Sequence, residues 1–131
     1  MILLTDQFPR NIYRDSPQAF AYDAKALAWC LEGLEQQFDR HLRPIERVFF
    51  YLPLEHTESL EHQERSVEKF RELLDEADER RKNVLVEYLD FAIRHRNIIA
   101  RFSRFPHRNK ILGRESTAEE LTFLKEPGSS F

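Results

Sequence analysis

Apolar residues recur at three- and four-residue spacing along most of this chain, and the places where that rhythm stops mark out its elements. Met1 to Phe8 reads as the last turns of a helix, with Leu3, Leu4 and Gln7 on one side and Pro9 as its stop. Ser16 before Pro17 is a capping residue before a first-turn proline, so a helix is expected from Pro17 to about Gln37. Its main stripe is Phe20, Ala24, Leu27, Leu31 and Leu34, and Tyr22, Ala26 and Trp29 form a second. A helix apolar on two faces needs cover on both.

Pro44 opens the next helix, with Ile45, Phe49 and Leu52 in stripe, Val48 beside them, and Pro53 expected to kink or shorten it. Thr57 is placed to cap a helix with the stripe Leu60, Val67, Phe70, Leu74 and Ala77. Asn83 is placed as the cap of a helix from Val84 to Ser103, after a tight turn over residues 78–83. Its stripe is Leu85, Tyr88, Ala92, Ile99 and Phe102, and Phe105 with Pro106 ends it. Gly113 reads as loop. Ser116 with Glu119 and Thr117 with Glu120 are overlapping capping boxes before a short helix through Leu121 and Leu124, closed by Pro127 and Gly128. The pattern is all-α: about five helices arranged as antiparallel hairpins, plus the stub at the start.

Four of the stripes are broken by a polar residue. Gln7 follows Leu3, His56 continues Ile45, Phe49 and Leu52, Gln63 lies between Leu60 and Val67, and His95 lies between Ala92 and Ile99. A buried polar group costs free energy unless it is hydrogen-bonded, so these residues are expected to meet one another or a ligand. If the broken layers coincide, they form a polar pocket near the helix ends. Asp6, Arg10, Asn11 and Arg14 would border it from one loop, and Arg104, His107, Arg108 and Asn109 from another. The two loops echo each other: F-P-R-N-I-Y-R at 8–14 and F-P-H-R-N-K-I-L-G-R at 105–114.

Composition adds bounds. The 131 residues, 41% hydrophobic, fit one domain over 1–131, and three glycines against 33% charged residues suit helices with short links. The single cysteine, Cys30, excludes an internal disulfide, and no apolar run long enough to span a membrane occurs, so the cytoplasm is the expected compartment. The net charge of -3 disfavours nucleic acid as a partner. Against that balance, Arg94 to Arg114 holds seven Lys/Arg, two His and no acid, whereas Glu55 to Glu79 holds ten Asp/Glu and three Lys/Arg. No metal-ligand spacing, phosphate-binding glycine loop or nucleophile elbow occurs, so no cofactor or metal is implied.

Three functions fit these residues. In the leading one, Arg10, Arg104 and Arg108 clamp a small anionic ligand or a peptide terminus, and His56, Gln63 and His95 direct hydrogen bonds to it. In the second, His56 or His107 serves an acid–base, hydrolase-like enzyme, with Glu55 or Asp6 as partner. In the third the same residues tie helices together with no ligand, and the acidic segment neutralises the basic one.

Strings along the whole chain also carry a resemblance: D-Q-F-P-R-N-I-Y-R (6–14), A-F-A-Y-D (19–23), Y-L-P-L-E-H (51–56), Q-E-R-S-V (63–67), R-F-P-H-R-N (104–109), I-L-G-R-E-S-T (111–117) and E-P-G-S-S-F (126–131). Through them the sequence resembles a bacterial family of unknown function, number nine-two-four in the domain-of-unknown-function series. The resemblance implies a cytosolic, tetratricopeptide-like helical array with no established activity. Family members extend further upstream, so the expectation is a chain lacking those helices, with Leu3–Leu4 and the Trp29 face left for a partner or a second copy.

Overall fold

The computed structural model describes residues 16–131, and in them the chain forms six α-helices, three short 3-10 turns and no strand. The expectations for 1–15, including the helix stub and the loop at 8–14, lie outside the described residues. The Ser16 hydroxyl accepts from the Gln18 N–H, and Pro17–Phe20 forms a 3-10 turn. The helix expected from Pro17 is interrupted at Tyr22, whose backbone (φ -109, ψ 11) breaks the hydrogen-bond ladder, so α1 is Asp23–Glu35. Gln37 in the left-handed region (φ 58) turns the chain into a 3-10 turn over Phe38–His41.

Helix α2 is Pro44–Glu55, with the Arg43 N–H held by the Glu46 carboxylate, and it ends just past Pro53. Its buried face differs from the expected stripe. Arg47, Val48, Tyr51, Leu54 and Glu55 are buried, whereas Ile45 is 51% and Phe49 38% exposed. Ile45 and Phe49 of that stripe therefore face outward, while Leu52 packs partly buried against the core. The buried face instead carries a hydrogen-bonded network: the Tyr51 hydroxyl donates to Asp39 (2.7 Å), Arg47 Nε donates to Tyr51 (3.0 Å), and Arg47 Nη1 reaches Glu76 (2.7 Å). These bonds offset much of the desolvation of the network, in which Arg47 Nη2 is left without a hydrogen-bond partner among the described residues.

Helix α3 is Leu60–Asp75 and begins at Ser59, not at Thr57, whose carbonyl is used elsewhere. It buries Gln63, Ser66, Val67, Phe70 and Leu73, leaving Leu60 outside. Helix α4 is Glu79–Phe102. Asp78, not Asn83, caps it by accepting from the Arg81 N–H (3.0 Å), because an acid there satisfies the first-turn donors and opposes the helix dipole. Asn83 lies inside the helix, and the turn falls at 76–78. Ser103 in the left-handed region (φ 63) ends α4.

Consecutive helices α1 to α4 pack on one another, and α3 contacts both α2 and α4 along its length. The short links at 56–59 and 76–78 make these pairs helical hairpins. Tyr51, Phe70, Leu54 and Leu73 fill the main core, and Ile98, Ile99 and Phe105 form a second cluster with Phe102 and Phe123 against them. Helix α4 runs through both, and His95 sits between its contributions to the two. After Pro106–Arg108 come the short α5, Asn109–Leu112, which was expected as loop, and α6, Ala118–Phe123. Gly113 (φ 69) terminates α5, a conformation in which a side chain would be strained. Of the two expected capping boxes, Thr117 with Glu120 forms, while Ser116 instead accepts from Asn109 (3.1 Å).

Candidate functional site

The carbonyls at the end of α2 organise the site. Helix ends leave such acceptors without intrahelical donors. Gln63, fully buried on α3, donates its amide to the Glu55 carbonyl (2.5 Å) and the Thr57 carbonyl (2.8 Å), and Arg108 donates to the His56 carbonyl between them (2.9 Å). Pro53 leaves a different acceptor, the Phe49 carbonyl, so Gln63 does not repair the proline break. From α4, His95 comes within 6.4 Å of the His56 ring, centre to centre, and its Nδ1 lies 3.3 Å from Glu55 Oε1. Three of the four polar stripe breaks, His56, Gln63 and His95, thus converge. Gln7, with Asp6, Arg10, Asn11 and Arg14, lies outside the described residues.

His95 is held as a neutral base. Burial pushes its pKa down to about 3, against the raising effect of the Nδ1 hydrogen bond to the Phe91 carbonyl (2.7 Å). That bond places the proton on Nδ1. The Phe131 ring stacks on the imidazole at 3.7 Å, and Phe105 meets its edge at 5.6 Å. His107 meets the same two rings, 5.7 Å from Phe105 and 6.0 Å from Phe131. The C-terminal segment is therefore folded back, anchored by the Ser129 hydroxyl on the Leu124 carbonyl (3.1 Å).

The basic segment divides into ties and one pocket residue. Arg104 grips Glu120 with two N–H groups (2.9 and 2.8 Å) and the Glu115 carbonyl with one of them (2.7 Å). These bonds, with help from the Thr117 N–H and Asn109, overcome burial and hold the Glu120 pKa at about 2. Asn109 is 1% exposed and bonds Ser116 and Glu120. Arg114 forks Glu58 (2.8 and 3.1 Å), which also accepts from the Phe105 N–H (2.6 Å). Burial opposes ionisation of Glu58, but these donors outweigh it and hold its pKa below the ordinary carboxylate range. Arg104 thus holds α6 to the end of α4, and Asn109 ties it to α5.

Arg108 differs. It is 7% exposed, and its guanidinium carbon lies over two rings, 4.4 Å from the centre of Phe20 and 4.6 Å from that of Phe105, within cation–π range of both. It forms one wall of a cavity of about 320 Å³ between α1, the end of α2 and α5. Phe20, Ala24, Leu27, Pro53 and Leu112 supply its apolar lining, and Asp23, His56, Thr57, Glu58 and Arg108 the polar groups. A mostly apolar cavity with a few convergent polar groups is the usual form of a small-molecule site. The sequence reading placed Phe20 in a core stripe, named Glu55 only as a partner for His56, and missed Glu58. An aromatic ring brought against an arginine by the fold leaves no sequence signal.

An all-helical fold with an Arg/His-walled cavity at one helix end describes the class. Residues 1–128 match the family described as bacterial protein of unknown function (DUF924), and the chain belongs to that family. A solved structure of a protein of unknown function from Agrobacterium tumefaciens superimposes with a TM-score of 0.82 at 39% identity. The match covers 95% of this chain and 64% of that one, so this chain spans less than two thirds of the solved relative. No curated protein matches the chain. Among the described residues no helix is long and apolar enough to cross a membrane, and no cluster of three or more His, Cys, Asp or Glu is placed to hold a metal.

Proposed function

We propose that this chain is a cytoplasmic binding module whose cavity beside Arg108 takes a small anionic molecule or a peptide carboxyl terminus. The observation that carries the reading is Arg108 itself: a nearly buried guanidinium, lying over the Phe20 and Phe105 rings, in the wall of a cavity of about 320 Å³. Its planar fork suits a carboxylate or phosphate, and His56 and Thr57 line the same cavity for directional hydrogen bonds. Arg104 leaves the clamp, since Glu120 already occupies its fork, and Gln63 and His95 become supports of the wall. The lone Cys30 fits a reducing compartment, and the successive hairpins fit a tetratricopeptide-like repeat. The partly covered Trp29, with the Lys25 ammonium 5.0 Å above its ring, remains the face offered to a second copy.

The test is a thermal-shift screen against anionic metabolites, phosphate compounds and short peptides, on the wild type, Arg108→Ala and His56→Ala. A ligand at about a hundred times its dissociation constant adds about 2.7 kcal/mol, a shift of several degrees. A shift seen in the wild type and absent in Arg108→Ala is expected. No shift with any compound, with Arg108→Ala simply melting lower, would leave Arg108 as a cap for α2 and nothing more.

A second reading has one observation in its favour, the buried Glu55–His95 contact beside His56. A carboxylate orienting an imidazole is the arrangement of a general base. In that case His95→Gln would abolish turnover of a compound that still binds, whereas in a binder it only loosens the wall and weakens retention.

A further inference from the structure

We propose that an open groove at the other end of α2, between its first turn and the first turns of α4, docks an acidic protein segment carrying an apolar anchor. The groove encloses about 310 Å³. Leu85 and Tyr88 form its floor, and Pro44, Ile45 and Val84 its walls. Ile45 and Val84 are each 51% exposed. Single exposed aliphatics are ordinary, but these two face one cavity, and one turn further along α2 Phe49 continues the exposed apolar line.

Charge identifies the occupant. The charged residues lining the groove are Arg43, Arg80 and Arg81, with no acid among them, in a chain whose net charge is -3. Arg43 pairs with Glu46 (2.9 Å) and Arg81 with Asp78 (3.4 Å), both exposed contacts with near neighbours in sequence, of the weak kind. Arg80 makes no ion pair with any described residue. A partner bringing carboxylates therefore meets one unneutralised guanidinium and two weakly engaged ones.

The shape favours a segment over a small anion. The apolar line from Ile45 to Phe49 runs beyond the cavity, and a small ion bound at Arg80 would leave it wet. An amphipathic helix laid along α2 covers both residues with its own anchors, the helix-in-groove mode of recognition. The acids then fall on the arginine rim, where they set orientation and on-rate. The site is independent of Arg108 and the cavity at the C-terminal end of α2.

The experiment pans a phage-displayed random peptide library on the whole chain, counter-selects on Arg80→Glu and on Val84→Glu, and measures synthetic copies of enriched peptides by fluorescence anisotropy. Both substituted residues are exposed, so the variants should melt with the wild type. The expected result is enrichment of peptides that combine an apolar anchor with two or more acids. Their affinity should fall about tenfold or more in either variant and weaken with added salt. The proposal is overturned if nothing is enriched, if enriched peptides lack acids, or if they bind both variants as tightly as the wild type. A wild-type dimer that Val84→Glu converts to monomer in sedimentation also overturns it, assigning the face to a second copy.

Discussion

Replacing Gln63 tests whether the polar stripe breaks hold the end of α2. Gln63 is fully buried, and its amide donates to the Glu55 and Thr57 carbonyls, while Oε1 has no donor. Gln63→Leu keeps most of the volume and removes both bonds. Each buried carbonyl left without a donor costs about 1–3 kcal/mol, and removal of the unsatisfied Oε1 returns part of this. A net loss of about 2–3 kcal/mol is expected, lowering Tm by roughly 6–12 °C for a domain of this size. Gln63→Glu sharpens the test. A buried carboxylate facing two carbonyl oxygens is repelled, so its folded pKa lies above the ordinary value and its penalty is largest at neutral pH. As pH falls through that raised pKa the acid protonates, donates one hydrogen bond and recovers stability. Chemical denaturation at neutral and mildly acidic pH measures both. A Leu variant within about 0.5 kcal/mol of the wild type, or a Glu variant with no relief at low pH, would refute the assigned hydrogen bonds.

Glu120→Gln should cost about 1.5–3 kcal/mol by thermal denaturation, because it removes the carboxylate gripped by Arg104. With its folded pKa held at about 2, the stabilisation from Glu120 is complete above the ordinary carboxylate pKa and is lost as pH falls toward 2, so wild type and variant should converge there. His95 has the same sign by a different route. The unfolded imidazole takes up a proton near pH 6.5 and the buried one only near 3, so stability should fall by up to about 1.4 kcal/mol per unit as pH drops below about 6.5. His95→Gln, in the same setting of Glu55, His56, His107 and Arg108, should lose that slope in urea denaturation. Gly33→Ala places a Cβ against the Phe50 ring and should cost about 1–3 kcal/mol by overpacking, with part recovered on adding Phe50→Leu.

Much of the fold was legible because helix periods, prolines and caps act locally. Pro44 and the pairing of Thr117 with Glu120 follow from residues within a turn of each other. The misplaced boundaries arose where two local signals competed. Asp78 and Asn83 both suit a cap, and Asp78 prevails because Glu79 to Lys82 favour helix, with Lys82 and Glu79 paired across a turn (3.0 Å). On α2 the expected stripe holds only at Leu52: Arg47 and Tyr51 are buried in place of Ile45 and Phe49 through Asp39 and Glu76, partners distant in sequence. The convergence of His56, Gln63 and His95 was legible from the gaps they leave in apolar stripes. What each basic residue pairs with was not, since Arg104 and Arg108 read alike in sequence, and only the fold gives one a carboxylate and the other a pair of rings.

The central claim is that Arg108 is a ligand-binding residue as well as a cap. The most direct measurement is the side-chain Nε–H signal of Arg108 in nitrogen-edited NMR of arginine-labelled protein, assigned by its loss in Arg108→Lys, during titration with acetate and with inorganic phosphate. A saturable shift of that signal, accompanied by ring resonances of Phe20 and methyl resonances of Leu112, is the predicted result. If every exposed arginine shifts with added salt while Arg108 and its neighbours in the cavity stay still, the cavity does not bind anions and the account of its function is wrong.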